Sequence, residues 1–270
     1  MPRDRFITGV FLLAATAASC APSSSYNAAT RRQETMFIST DREVGLGESV
    51  AKQVEKEFPV ILDPEQLRRL DRVGSAIAAV ADRKDLTYRF TLVEMVPKNQ
   101  PDEEDQPNAF ALPGGPVYVS KALMKLVKTD DELASVLGHE VGHVVAQHAV
   151  KRLQGAIGLQ MLEILAAGTR AADSQTRQGM ELAFASLLTE YSQQDELEAD
   201  RLGVKYMTAA GYNPEAAISF MQSLRDYTFK QPMRRYSYFR THPYYADRIR
   251  LMRQNAQGQI TFDDYINRKE

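Results

Sequence analysis

The chain has 270 residues, 44% hydrophobic and 25% charged, a composition that supports one sizeable globular core and excludes a generally disordered polypeptide. Its 33 basic and 35 acidic residues leave a formal charge of −2, so there is no chain-wide attraction to nucleic acid and no nucleic-acid partner is expected.

The N-terminus reads as a separate segment. Arg3 and Arg5 precede a mostly apolar run over 6–18, the pattern of a secretory signal and too short to span a bilayer as a stable helix. Residues 1–19 are therefore expected to be a signal peptide. The run ends at Ala17-Ala18-Ser19-Cys20, which resembles a bacterial lipobox, although Ala17 stands where Leu is usual. Cys20 is the only cysteine and has no partner for an internal disulfide, so the expectation is acylation of its thiol and membrane attachment through an N-terminal lipid. The competing reading is an ordinary signal with Ala15-Thr16-Ala17 as its cleavage site. Residues 20–38 lack apolar periodicity and are expected to be anchor and flexible tether, with 39–270 as the folded domain.

Helical patterns follow at 42–57 and 63–81. The second opens with Asp63 as N-cap and Pro64 at the first helical position, and it spaces Leu67, Leu70, Val73 and Ile77 along one face. Residues 87–96 are rich in β-branched and aromatic types. With 110–112 and 117–119, which flank Pro113-Gly114-Gly115-Pro116, they predict a small antiparallel sheet. The charge run 101–105 between them reads as a solvated loop. From Asp130 onward the periodicity is helical, over 130–153, 156–167, 177–191, 194–210, 214–227 and 245–255. The apolar stretch 157–167, interrupted by Glu163, is expected to pack over the core or form a lid. The fold class is α+β, mainly helical, in a single domain.

Within 130–153 lies His139-Glu140-Val141-Gly142-His143. Four residues apart on a helix, the two imidazoles differ by about 40° around the axis and one turn along it, so both can reach one zinc ion. Glu140 is placed to take a proton from water acidified by the metal and to deliver it to a leaving amine. A catalytic zinc takes three protein ligands, and the candidate third is Glu196 in Asp195-Glu196-Leu197-Glu198-Ala199-Asp200. Asp200, one turn on and on the same face, would hydrogen-bond the free ring nitrogen of His139; Glu198 points to another face. His148, nine residues after His139, projects about 180° away, so it cannot join the same zinc and is read as structural. One zinc ion per chain is expected. A purely structural zinc site is disfavoured, because such sites usually draw on cysteines.

These segments, with the run from Asn108 and Ala109 through Pro113-Gly114-Gly115 and with Thr241-His242-Pro243, resemble in order and spacing the HtpX-like zinc metallopeptidases, the family that includes the CAAX prenyl proteases and the periplasmic BepA-type proteases. The resemblance implies a compact gluzincin core, zinc on His139, His143 and Glu196, Glu140 as catalytic base, and polypeptide substrates among misfolded or unassembled envelope proteins. It also implies that Asn108 and Ala109 sit on an edge strand whose backbone pairs with substrate, a mode that binds main-chain groups with loose sequence preference. It implies further that His242 faces the zinc, either as an oxyanion donor or as a latch on the open zinc position. The spans of integral-membrane relatives and the C-terminal helical repeats of the BepA type are expected to be absent. Ala21 follows Cys20 where an inner-membrane retention signal usually has Asp, which points to the periplasmic face of the outer membrane. The rival reading is a lipid-tethered chaperone or assembly factor with little proteolysis; such a protein has no need of Glu140 beside its first histidine.

Overall fold

The computed structural model describes residues 23–27, 29–36, 38–167, 174–231, 234–243 and 245–256. The expected signal segment and Cys20 lie outside them. The first described elements are two strands, β1 (Ser23–Asn27) and β2 (Arg32–Met36), paired antiparallel with Ser23 opposite Met36. This stretch, expected to be a flexible tether, makes polar contacts with the helices of the domain. The Asn27 side chain accepts from the N–H groups of Ala29 and Thr30 and donates to the Val145 carbonyl at 3.1 Å, while Arg201 donates to the carbonyl of the buried Ala29.

Helix-start chemistry sets α1 (Thr40–Glu57) and α2 (Pro64–Val80). Asp63 caps α2 by accepting from Glu65 and Gln66 N–H at 3.0 and 3.2 Å, and Leu70, Val73 and Ile77 are buried as the spacing predicts. Three strands follow: β3 (Arg89–Val93), β4 (Ala109–Ala111) and β5 (Pro116–Ser120), in the order β3-β5-β4. The sheet is mixed rather than antiparallel throughout: β4 runs antiparallel to β5, but β3 runs parallel to it. A turn as short as Pro113–Pro116 can join only antiparallel neighbours, and Gly114 and Gly115 supply its positive φ angles of 74° and 117°. The long link 94–108 is under no such constraint and crosses the end of β5. Asp105 anchors that link by accepting from Met95 and Ala122 N–H at 2.8 and 2.6 Å, so only 101–104 of the charge run are exposed.

Both faces of the sheet are buried. Leu92, Val117 and Val119 join a core with α2, α4 (Asp130–Val145), α7 (Gln193–Ala209) and α8 (Ala216–Lys230), introduced here with α3 (Lys121–Leu126), α5 (His148–Ala166) and α6 (Ser174–Leu187). Val93, Phe110 and Tyr118 face a second core with α1, α5 and α6. A single turn, α9 (Tyr238–Thr241), and α10 (Tyr245–Ala256) complete the chain order. Among the described residues no helix is long and apolar enough to cross a membrane.

Two features of the helices decide the geometry of the centre. The helix expected over 130–153 is broken at Gln147, which adopts a left-handed φ of 57° and donates through Nε2 to Glu43 Oε2 at 2.8 Å. Glu43 is buried beneath Arg83, so the break is fixed by contacts distant in sequence. The other feature is the seam between α4 and α7. A Cβ added to Gly142 would stand 2.9 Å from the Ala199 carbonyl oxygen, and one added to Gly138 would stand 2.9 Å from that of Gly203. Small residues one turn apart on both helices therefore bring the two backbones together, and side chains on either helix meet across a short gap.

Candidate metal centre

The helix α4 carries His139, Glu140 and His143, α7 carries Glu196 and Asp200, and the residue after α9 is His242. All six are buried. The Nε2 atoms of His139 and His143 lie 3.0 Å apart. Glu196 oxygens stand 3.7 Å from the first and 3.4 Å from the second. His242 Nδ1 is 3.3 Å from His139 Nε2 and 3.0 Å from Glu196 Oε1. Four donors at about 2.0–2.1 Å from a tetrahedral ion are separated by about 3.3–3.4 Å, and the observed separations straddle that value. His139, His143, Glu196 and His242 could thus hold one metal ion.

A second observation supports the fit. Both carboxylate oxygens of Glu140 are buried and have no hydrogen-bond partner among the described residues, and the same holds for His242 Nε2; these two groups face each other at 3.5 Å. Buried polar atoms are normally satisfied, and lone pairs left open beside converging donors suit a site built for a reacting ligand.

The protonation states also suit a cation. Burial disfavours the charged form of His143 and holds its imidazole well below its ordinary value, so it presents a neutral lone pair. Burial opposes ionisation of Glu196, yet the Arg248 guanidinium overcomes it and holds the carboxyl well below the usual carboxylate range. Asp200 is depressed in the same way, again by Arg248 against burial. Glu140 goes the other way: burial raises it, and His242 and His139 only partly offset that.

Asp200 stands where the helical spacing puts it. His139 Nδ1–H donates to Asp200 Oδ1 at 2.9 Å. The sequence reading missed the group that makes this possible. Arg248 on α10 is buried and donates to both oxygens of Asp200, at 2.7 and 2.8 Å, while its Nη1 meets Glu196 Oε2 at 2.5 Å. No local pattern distinguishes this arginine from Arg250 or Arg253, both solvent-accessible on the same helix. Two tyrosines that no motif singles out also line the site: Tyr191 stacks on His143 with ring centroids 4.0 Å apart, and Tyr238 stacks on His242 at 4.4 Å.

His148 is not among the four converging donors, but the 180° argument fails because the helix is broken before it. Its Nδ1 lies 2.9 Å from His143 Nδ1. Glu198, on a different face of α7 from Glu196, is buried all the same, because His148 Nε2 reaches it at 3.3 Å.

Ala109 opens β4, the edge strand of the sheet, and Asn108 precedes it. Asn108 accepts from Ser120 N–H and Leu112 donates to Pro116, so even-numbered residues pair with β5 and Ala109 turns its main-chain groups away from β5. Both Asn108 and Ala109 are inaccessible. The Asn108 amide donates to the Tyr236 carbonyl at 2.9 Å, and Tyr238 N–H donates to that of Pro107 at 3.1 Å. The segment leading to His242 therefore lies over the entry to the strand.

A sequence model of Peptidase family M48 matches residues 64–256. The beta-barrel assembly-enhancing protease of Yersinia pestis is 29% identical over 234 residues, covering 81% of this chain and 45% of that protein. The mitochondrial metalloendopeptidase OMA1 of Schizosaccharomyces pombe is 28% identical, over 94% of this chain and 73% of its own length. The metalloprotease LoiP of Escherichia coli is 28% identical over 72% of each chain. The chain spans less than half the length of the beta-barrel assembly-enhancing protease from Yersinia pestis.

Proposed function

Because this chain belongs to peptidase family M48, we propose that it is a zinc-dependent endopeptidase that cleaves exposed segments of misfolded or unassembled envelope proteins. The observation that carries the reading is the convergence of His139, His143, Glu196 and His242 donors beside the Glu140 carboxylate, which has no hydrogen-bond partner among the described residues. Two imidazoles and one carboxylate form the protein ligand set of many catalytic zinc sites. The ion, when bound, supplies Lewis acidity for water and for the scissile carbonyl.

The protein's own groups do the rest. Glu140 takes the proton from the attacking water and returns it to the departing amine nitrogen, a role its position beside the donors and its raised affinity for a proton both favour. Asp200 holds the His139 ring by its Nδ1–H, and Arg248 holds Asp200 and Glu196 in their charged states. His242 acts as a latch in the resting form, since its Nδ1 stands within the donor set. With the latch and the 236–238 segment displaced, the edge of β4 at Asn108 and Ala109 becomes available for an extended substrate to add as a strand. The same displacement frees His242 to act as an oxyanion donor.

The names of the relatives favour proteolysis over a chaperone, and those of the bacterial beta-barrel assembly-enhancing proteases favour the envelope as its setting. Attachment through a lipid on Cys20, at the periplasmic face of the outer membrane, completes the proposal. Hydrolysis of unfolded casein by the zinc-loaded protein tests it: wild type cleaves and Glu140→Gln does not. Equal activity in the two, or none in either after the latch is removed, overturns it.

A further inference from the structure

The break at Gln147 returns the first residue of α5 to the centre of the molecule. His148 and His143 are both buried, with their Nδ1 atoms 2.9 Å apart. On its other side His148 Nε2 faces two α7 carboxylates, Glu198 Oε2 at 3.3 Å and Asp195 Oδ1 at 3.4 Å.

Proton positions follow from the order of these atoms. His143 turns Nε2 toward the donor cluster, 3.0 Å from His139 Nε2 and 3.4 Å from Glu196 Oε1. A ring that ligates through Nε2 carries its proton on Nδ1. Among the described residues that Nδ1–H has one partner in reach, His148 Nδ1, which accepts only if His148 holds its own proton on Nε2. The Nε2–H then donates to Glu198 and Asp195, both acceptors when ionised.

We propose that His148 is the positioning residue for His143, fixing the tautomer and ring direction of the second metal histidine as Asp200 does for the first. The α7 helix thus serves both histidines: Asp200 touches His139 directly, and Glu198 and Asp195 act on His143 through an interposed imidazole. The device is held from outside, since Gln147 is pinned by Glu43 and Tyr191 stacks on the His143 ring. The inference rests on the reading of His143 as a zinc ligand.

Long-range ¹H–¹⁵N spectra of the zinc-loaded wild-type chain read the tautomers directly. The expected result is a proton on Nδ1 of His143 and on Nε2 of His148; a proton on Nδ1 of His148 overturns the proposal. Zinc affinity, measured by competition with a chromogenic chelator, supplies the second readout. Loss of an outer partner of this kind weakens metal binding about 10–100-fold, which is expected of His148→Leu, while His148→Asn, whose Oδ1 takes the place of Nδ1 as acceptor, stays within about threefold of wild type. Wild-type affinity in His148→Leu, or equal weakening in both variants, refutes the role. If His148→Leu does not fold without zinc, the spectra and the Asn variant decide. Unchanged affinity in His143→Ala would instead sink the zinc site itself.

Discussion

Replacing Glu140 by Gln keeps the side chain's shape and removes its charge, and three consequences can be worked from its surroundings. As general base it contributes about 10²–10⁴-fold to the rate, so casein hydrolysis by Glu140→Gln falls by at least that factor. Because Glu140 is not one of the converging donors, bound zinc is retained. The third consequence is an opposite effect on stability. Both carboxylate oxygens are buried without a hydrogen-bond partner among the described residues, and an unsatisfied buried group costs about 1–3 kcal/mol, more when charged. The amide of the variant is equally short of partners, so what it relieves is the added cost of burying the charge: in the metal-free protein at pH 7 it is more stable by about 1 kcal/mol, or about 2–4 °C in melting temperature for a chain of this size. The sign of the pH dependence follows from the raised Glu140 value. The folded state binds this proton more tightly than the unfolded chain, so wild type loses stability as pH rises through the folded pKa. The gap between the proteins opens toward neutral pH and closes in acid. Thermal melts in chelator from pH 4 to 8, zinc content and casein hydrolysis test the three parts. Zinc loss equal to that of His143→Ala, or a variant less stable than wild type at pH 7, would refute the reasoning.

Removing the latch by His242→Ala should raise basal casein hydrolysis; a fall in kcat of about 10²-fold or more would show that its donor role dominates instead. Arg248→Met strips the buried charges of Asp200 and Glu196 of their partner, at a cost of about 3–5 kcal/mol. Since both carboxyls are depressed in the folded state, their stabilisation is lost as pH falls through those low values, and acid unfolding of the variant should move to higher pH. Gly142→Ala forces a Cβ against the Ala199 carbonyl and should destabilise by about 1–3 kcal/mol, whereas Gly155→Ala, open to solvent in α5, should stabilise by roughly 0.5–1 kcal/mol; chemical denaturation compares them. Cys20→Ser should move the protein from the membrane to the soluble fraction with its peptidase activity intact, and unchanged fractionation would point to another attachment.

What the sequence determined by itself was local. Asp63 and Pro64 specify a helix start through atoms within one turn, and they do so in the structure. The spacing of His139 and His143 on one helix, and of Glu196 and Asp200 on another, likewise fixes which side chains share a face whatever the rest of the chain does. The turn at Gly114 and Gly115 was legible because positive φ angles leave few other residue types. The hairpin at 23–36 was not, since the contacts that tie it to the domain run from an asparagine side chain and a backbone carbonyl to residues more than a hundred positions away. The parallel pairing of β3 with β5 escaped for a related reason, because alternation shows that a strand has two faces and not which strand lies beside it. At the site the division is the same. The helix break that delivers His148 to His143 depends on Glu43, 104 residues away from Gln147, and the charged states of Glu196 and Asp200 depend on an arginine 48 residues beyond the second of them. Contacts of that range carry no periodic mark in the sequence, because their free energy comes from excluding water around paired charges in the assembled core, and that core exists only once α4, α7 and α10 have packed together.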